Sequence, residues 1–211
     1  MDISYLGHSS FRLKGKTTSV VTDPFSSDTG LKFPKVDANI VTITHDHADH
    51  NNASGVGGDP VVVNGAGEYE IGGVSIFGVP SYHDEKEGSE RGRNTIYVIR
   101  IDGLNVCHLG DLGHKLTTTE LDEIGTIDVL LVPVGGVYTI DAAGANEVIS
   151  QLEPKVVIPM HYKVPGLKYE LGSLDDFLKE IGLEPLKDTK FTVVPSSLPE
   201  TMQLVILESK V

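Results

Sequence analysis

Between Thr44 and His50 the chain reads Thr-His-Asp-His-Ala-Asp-His, placing three imidazoles and two carboxylates within six consecutive residues. The run follows the apolar, β-like stretch Asn39-Ile40-Val41-Thr42-Ile43 and precedes the polar, glycine-bearing stretch Asn51 to Gly58, so the cluster sits where a strand gives way to a loop. If the strand conformation persists, His45 and His47, two residues apart, leave on the same face and reach one metal ion together. Asp49 and His50 then fall on the following turn, displaced enough to serve a neighbouring ion. Neutral imidazole and carboxylate suit zinc, with manganese, iron or nickel as substitutes.

The rest of the chain narrows what surrounds that cluster. Its 211 residues are enough for one sizeable core, and no low-complexity linker interrupts them, so 1–211 is expected to form a single domain. Seventeen basic residues against thirty acidic ones give a net charge of −13, which repels polyanions and argues against nucleic acid as a partner. There is no run of about 18 apolar residues, and Met1 to Leu6 shows no basic region leading into an apolar one, so a cytoplasmic location without membrane attachment is expected. Cys107 is the only cysteine and sits in an apolar run, which excludes an internal disulfide and reads as a small core residue. A homo-oligomer is compatible with all of this.

Alternation in Ile3 to Leu13 predicts a hairpin, and Thr18 to Thr22 a strand ending at Asp23-Pro24. Val61 to Val63, Glu68 to Ile71 and Val74 to Phe77 are strands, the last two joined at Gly72-Gly73. Asn94 to Ile101 and Leu104 to His108 make a further hairpin through Asp102-Gly103. Between these hairpins, Glu85 to Arg93 is a polar loop with the character of a mobile active-site flap. Thr117 with Glu120 forms a capping box ahead of a short helix stopped by Gly125, Asp141 caps a second helix and Ser173 a third. Strands arrive in two long groups with helices mainly after the first, as expected for two packed sheets with helices outside.

The string His45-Asp46-His47-Ala48-Asp49-His50 resembles the HxHxDH signature of the metallo-β-lactamase superfamily, and later segments match in order. The resemblance implies an α+β, four-layer αββα sandwich with two mixed sheets. It implies His83, after the Ser81-Tyr82 strand end, as third ligand of a first metal with His45 and His47, with His108 and His114 as its rivals. It implies Asp111, in Leu109-Gly110-Asp111, as the carboxylate between two metals, and His161, in Pro159-Met160-His161-Tyr162, as the ligand that completes a second site with Asp49 and His50. It further implies supporting positions for Asp23 and His8, with His108 packed nearby. The order of these segments most resembles the branch containing L-ascorbate-6-phosphate lactonase.

The implied chemistry is hydrolysis, with two divalent ions activating water and Asp49 orienting it and passing its proton to the leaving group. Two cations outweigh the charges of Asp49, Asp111 and hydroxide, so a small anionic ester, lactone or phosphoester is the expected substrate. Arg91, with a bidentate fork for an anion, and Lys163, His114 and Tyr138 are the substrate-binding candidates. Two other readings stand beside this one. A diiron oxidoreductase on the same fold would usually carry Glu in place of His47, and a metal-binding sensor would share the ligands without turnover.

Overall fold

Polar–apolar alternation in the first residues makes a meander. In the computed structural model, which describes residues 1–209, β1 (Asp2–Gly7), β2 (Ser10–Lys14) and β3 (Ser19–Thr22) run antiparallel, and β4 (Ile40–Ile43) and β5 (Val61–Asn64) add in parallel beside β3. A second meander follows from β6 (Gly67–Ile71), β7 (Val74–Tyr82), β8 (Arg93–Ile101) and β9 (Leu104–His108). The predicted turns close it: Gly72 and Gly73 take φ of 57° and 78°, Asp102 and Gly103 φ of 53° and 79°. Two positive φ values in succession suit the right-handed twist of paired strands.

The chain then alternates α1 (Thr118–Ile124), β10 (Val129–Pro133), α2 (Ala142–Leu152), β11 (Val156–Met160) and α3 (Leu174–Ile181), and ends in β12 (Leu186–Asp188), β13 (Phe191–Thr192) and β14 (Gln203–Leu207). Thr117, Asp141 and Ser173 cap the three helices through their side-chain oxygens, as their sequences predict. Two mixed sheets result, with strand orders β13-β1-β2-β3-β4-β5 and β12-β14-β11-β10-β9-β8-β7-β6.

The inner faces of the two sheets share one core that runs from Met1 to Leu207 and includes the fully buried Tyr5, Phe11, Ile40, Ile76, Tyr97 and Val157. Helices lie against the second sheet, α1 on β7 and α2 on β10, with α3 on α2. The outer face of the first sheet, Leu6, Val21, Val41 and Ile43, is covered by Phe33, Val36, Ala38, Ala53 and Val56. That covering layer is loop, with only the single 3-10 turns Ser27–Thr29 and Ala53–Gly55 in it among the described residues. The fold is thus the α+β sandwich expected, with a thin layer on one side. No helix among the described residues is long and apolar enough to cross a membrane.

Strand direction positions the site. In the first sheet β1, β3 and β4 point the same way, and in the second β7, β9, β10 and β11 do. Every residue of the sequence-derived ligand set follows the C-terminal end of one of these strands.

Candidate metal centre

Strand β4 stops at Ile43, and residues 44–46 bend instead of continuing the pleat. The expectation that His45 and His47 share a strand face therefore fails: His45 is buried and His47 exposed. Their rings nonetheless lie 4.5 Å apart, and His83, delivered by β7, sits 4.9 Å from His45 and 5.2 Å from His47. One potential ligand atom from each of these three lies within 4.8 Å of the others, an arrangement that could hold a metal ion. A second group meeting the same criterion is His8, Asp49, His50 and His161.

Asp111 lies between the groups. Its Oδ2 is 3.3 Å from His83 Nε2 and 3.9 Å from His45 Nε2 on one side, 3.3 Å from His50 Nε2 and 3.1 Å from His161 Nε2 on the other. Asp111 Oδ1, His45 Nε2 and His50 Nε2 are buried without a hydrogen bond. Buried polar atoms left this way are costly unless a further partner satisfies them. Imidazole and carboxylate donors are those a borderline divalent cation takes, so these residues fit such an ion.

The supporting groups are as specific as the ligands. Asp23 accepts from His50 Nδ1 at 2.8 Å, from Thr44 Oγ1 at 2.6 Å and from the Thr44 amide at 2.9 Å. Its oxygens are committed, so although Asp23 lies close to His45 and His50 it orients them and fixes the turn that carries them. His108 Nδ1 accepts from the Gly110 amide at 3.1 Å, which leaves Nε2 as the donor to the Ser9 carbonyl at 2.8 Å. It thereby pins the Gly110-Asp111 turn to the first hairpin. Gly110 has φ of 58° and packs against Asn94 and Thr44, where a Cβ would collide. Gly135 is needed for another reason: its Cα faces the His161 carbonyl too closely for any side chain.

Three residues of the centre, His8, Asp23 and His161, hold left-handed backbone at φ of 53°, 39° and 53°. Such strain persists only where the surroundings over-determine it and gathers at functional sites. Electrostatics separate the groups further. Burial lowers His45 to about 3, with the charge of His50 adding to the effect, and burial lowers His8 to about 4, with His161 adding. Burial would raise Asp49, but its contacts with His50 and His8 win and hold its carboxyl well below the usual range. Asp111 is likewise lowered against burial by the charges of His161 and His50. His50 is raised against burial by Asp111, then by Asp23 and Asp49.

Above the centre lies a cavity of about 230 Å³ lined by His47, Asp49, His83, Asp111 and His161, with Arg91, Tyr138 and Tyr169 around its mouth. The Arg91 guanidinium stacks 4.7 Å from the centroid of Tyr138 and donates to the Val137 carbonyl at 3.4 Å. Two substrate-binding expectations are corrected here. Lys163 does not line the cavity: its ammonium donates to the carbonyls of Leu167 at 3.0 Å and Tyr169 at 2.6 Å and contacts Glu170, so it staples its own loop. His114 lies in a separate groove with Tyr82 and Glu120, accepting from the Tyr82 amide at 3.2 Å.

The flap is also different from its expectation. Asp84 Oδ1 accepts from the amides of Lys86 and Gly88, and Oδ2 from those of Glu90 and Arg91, at 2.7 to 3.1 Å, so the loop is wound around one carboxylate. Sequence reasoning passed over Asp84, Asn94 and Tyr169. Asn94 accepts from the Asp111 amide at 3.1 Å and donates to Leu109 O and Ser81 Oγ, tying the Asp111 turn to the end of β7. A signal existed only for Asp84, adjacent to a candidate ligand and opening a polar loop with two glycines.

The two sheets deliver histidines and carboxylates to one edge, where they form a candidate metal-binding site. The model of the β-lactamase superfamily domain matches residues 2–161. The chain is 31% identical to a UPF0173 metal-dependent hydrolase from Archaeoglobus fulgidus over 194 residues, 77% of this chain and 83% of that protein. It is 30% identical to one from Thermococcus kodakarensis over 190 residues, 76% and 84% of the two chains. A crystal structure from Thermotoga maritima, assigned as a zinc-dependent hydrolase of the metallo-β-lactamase superfamily, is 40% identical with a TM-score of 0.83 over 99% of each chain. This chain belongs to the metallo-β-lactamase superfamily, as a metal-dependent hydrolase of its UPF0173 family.

Proposed function

We propose that the protein is a cytoplasmic hydrolase that holds two divalent ions, zinc first among them, and acts on a small anionic ester, lactone or phosphoester. His45, His47 and His83 would hold one ion, Asp49, His50 and His161 the other, with Asp111 between. The observation that carries this reading is the place of Asp111 Oδ2, 3.1 to 3.9 Å from imidazole nitrogens of both groups. Ions held there supply Lewis acidity, polarising a carbonyl or phosphoryl oxygen and making a neighbouring water acidic near pH 7.

The chain's own residues do the rest. Asp49 is ionised and faces the cavity, so it can orient the water, take its proton and return it to the leaving oxygen. Tyr138 and Tyr169 line the cavity. Among the described residues that line the cavity Arg91 is the one permanent cation, and it offers its fork to an anionic end of the substrate. The cavity of about 230 Å³ is small against the roughly 300–1,000 Å³ common for ligand pockets, which favours a compact metabolite over a polymer. A phosphorylated lactone of the ascorbate-6-phosphate kind fits that description.

The test is metal reconstitution followed by a panel of esters, lactones and phosphodiesters, each as charged and neutral analogues. Two equivalents of metal with turnover favouring the charged member are expected. Uptake well below one equivalent, or full uptake with no turnover on any class, defeats the reading; the second outcome would leave a metal sensor.

A further inference from the structure

His8 is fully buried beneath the Asp49 side of the centre, at the turn between β1 and β2. Its Nε2 is 3.0 Å from Asp49 Oδ2. Its backbone carbonyl accepts from the His161 amide at 3.0 Å and from the Tyr5 hydroxyl at 2.7 Å, and its ring lies 4.4 Å from that of His161. One residue therefore touches two of the three ligands expected on that side, one through its side chain and one through its main chain. We propose that His8 is the positioning residue of this half of the centre, donating from Nε2 to fix the Asp49 carboxylate while its carbonyl fixes His161. The proposal rests on the two-ion reading above.

The direction of the hydrogen bond follows from its partner. An ionised carboxylate only accepts, so Nε2 carries the hydrogen, and a neutral ring then leaves Nδ1 as an acceptor. His8 Nδ1 is buried and has no hydrogen-bond partner among the described residues. A buried acceptor without a hydrogen bond destabilises, and the left-handed backbone at φ of 53° adds strain. Fold stability does not account for a histidine here, because an apolar side chain would leave no orphaned nitrogen. What only this ring supplies is a donor at the Nε2 position. With Oδ2 held, the carboxylate cannot rotate freely, and it meets an incoming ion already oriented.

Two variants separate the donor from the space it fills. Asparagine tolerates left-handed backbone but places its amide near the Nδ1 position, short of Asp49; glutamine reaches the Nε2 position through the same number of bonds. Competitive zinc titration of His8→Asn should show the Asp49-side ion weakened by about 10 to 100-fold, with the His45-side ion unchanged, and His8→Gln should restore most of the loss. Two wild-type affinities in a folded His8→Asn, or an equal loss in a folded His8→Gln, would overturn the proposal. Nitrogen-15 spectra of the metal-free wild type read the tautomer directly, whatever the number of ions bound: the Nε2–H form is expected, and the Nδ1–H form overturns the assignment. A wild type that binds one ion while showing the Nε2–H form would defeat the two-ion reading and leave the His8–Asp49 contact standing.

Discussion

Among His45, His47 and His83 the one side-chain hydrogen bond between described residues is at His45, whereas Asp49, His50 and His161 are each gripped from behind. On the first side His47 is exposed, and Thr44 Oγ1 meets His45 Nδ1 at 3.0 Å. On the second, Asp23 holds His50, His8 contacts Asp49, and the His8 carbonyl holds the His161 backbone. The difference teaches how labour is divided within one cluster. The half whose every residue has a partner behind it keeps charge and geometry fixed more firmly than the other.

The largest effect should come from the residue common to both halves. Asp111→Asn is expected to keep the fold and lose metal affinity on both sides by at least about 10 to 100-fold, because an amide brings no negative charge to either ion. Equal titrations of wild type and variant would place the bridge elsewhere. His47→Ala should lose the first ion preferentially and, being exposed, leave the melting temperature of the metal-free protein within a degree or two of wild type, as expected for about ±0.5 kcal/mol at a surface site. Simultaneous loss of both ions would erase the distinction between the halves.

Asp23→Asn should weigh on the other side, weakening the second ion by about 10 to 100-fold through a misoriented His50 and the first by less, through the Thr44 turn that carries His45. Titration of both sites in this variant and in His47→Ala gives the comparison its sharpest form. Acid stability gives another. His45 and His8 titrate at about 3 and about 4 in the fold against an ordinary 6.5, both because of burial. The unfolded chain takes up their protons first, so their contribution to the metal-free fold is complete above about pH 6.5 and is lost as pH falls through 4 and 3. Urea midpoints should drop over that window, less steeply in His45→Gln or His8→Gln; a flat profile would remove the assignment of these rings as neutral.

The smallest effect is expected at the mouth. Arg91→Ala should raise KM more than it lowers kcat for an anionic substrate and do far less for a neutral analogue, because a guanidinium that binds ground and transition states alike changes only affinity. Equal kinetics on both substrates would reduce Arg91 to its stacking on Tyr138.

The residues that the candidate centre brings together were legible because they stand at strand ends with strong local patterns: the run from His45 to His50, the glycine turn before Asp111 and the apolar strand into His161. The two-sheet fold was legible from hairpin turns at Gly72-Gly73 and Asp102-Gly103. Roles that depend on distant partners were not. Nothing near Lys163 says that its ammonium ends on the carbonyls of its own loop, and nothing near Asn94 announces the Asp111 amide seventeen residues away. The period-two argument for His45 and His47 failed because β4 ends before the first ligand, and a turn brought the rings together instead.

The loop wound on Asp84 has a consequence for how such an enzyme diversifies. Asp84 holds four main-chain amides and no side chain. The loop therefore behaves as an exchangeable cassette: side chains at Lys86, Glu90 and Arg91 can be traded for anything but proline without releasing a single one of those bonds. Glu87, Gly88 and Gly92, at φ of 54°, 78° and 96°, carry backbone demands of their own. Selectivity at the mouth can drift by point substitution while the catalytic floor stays as it is.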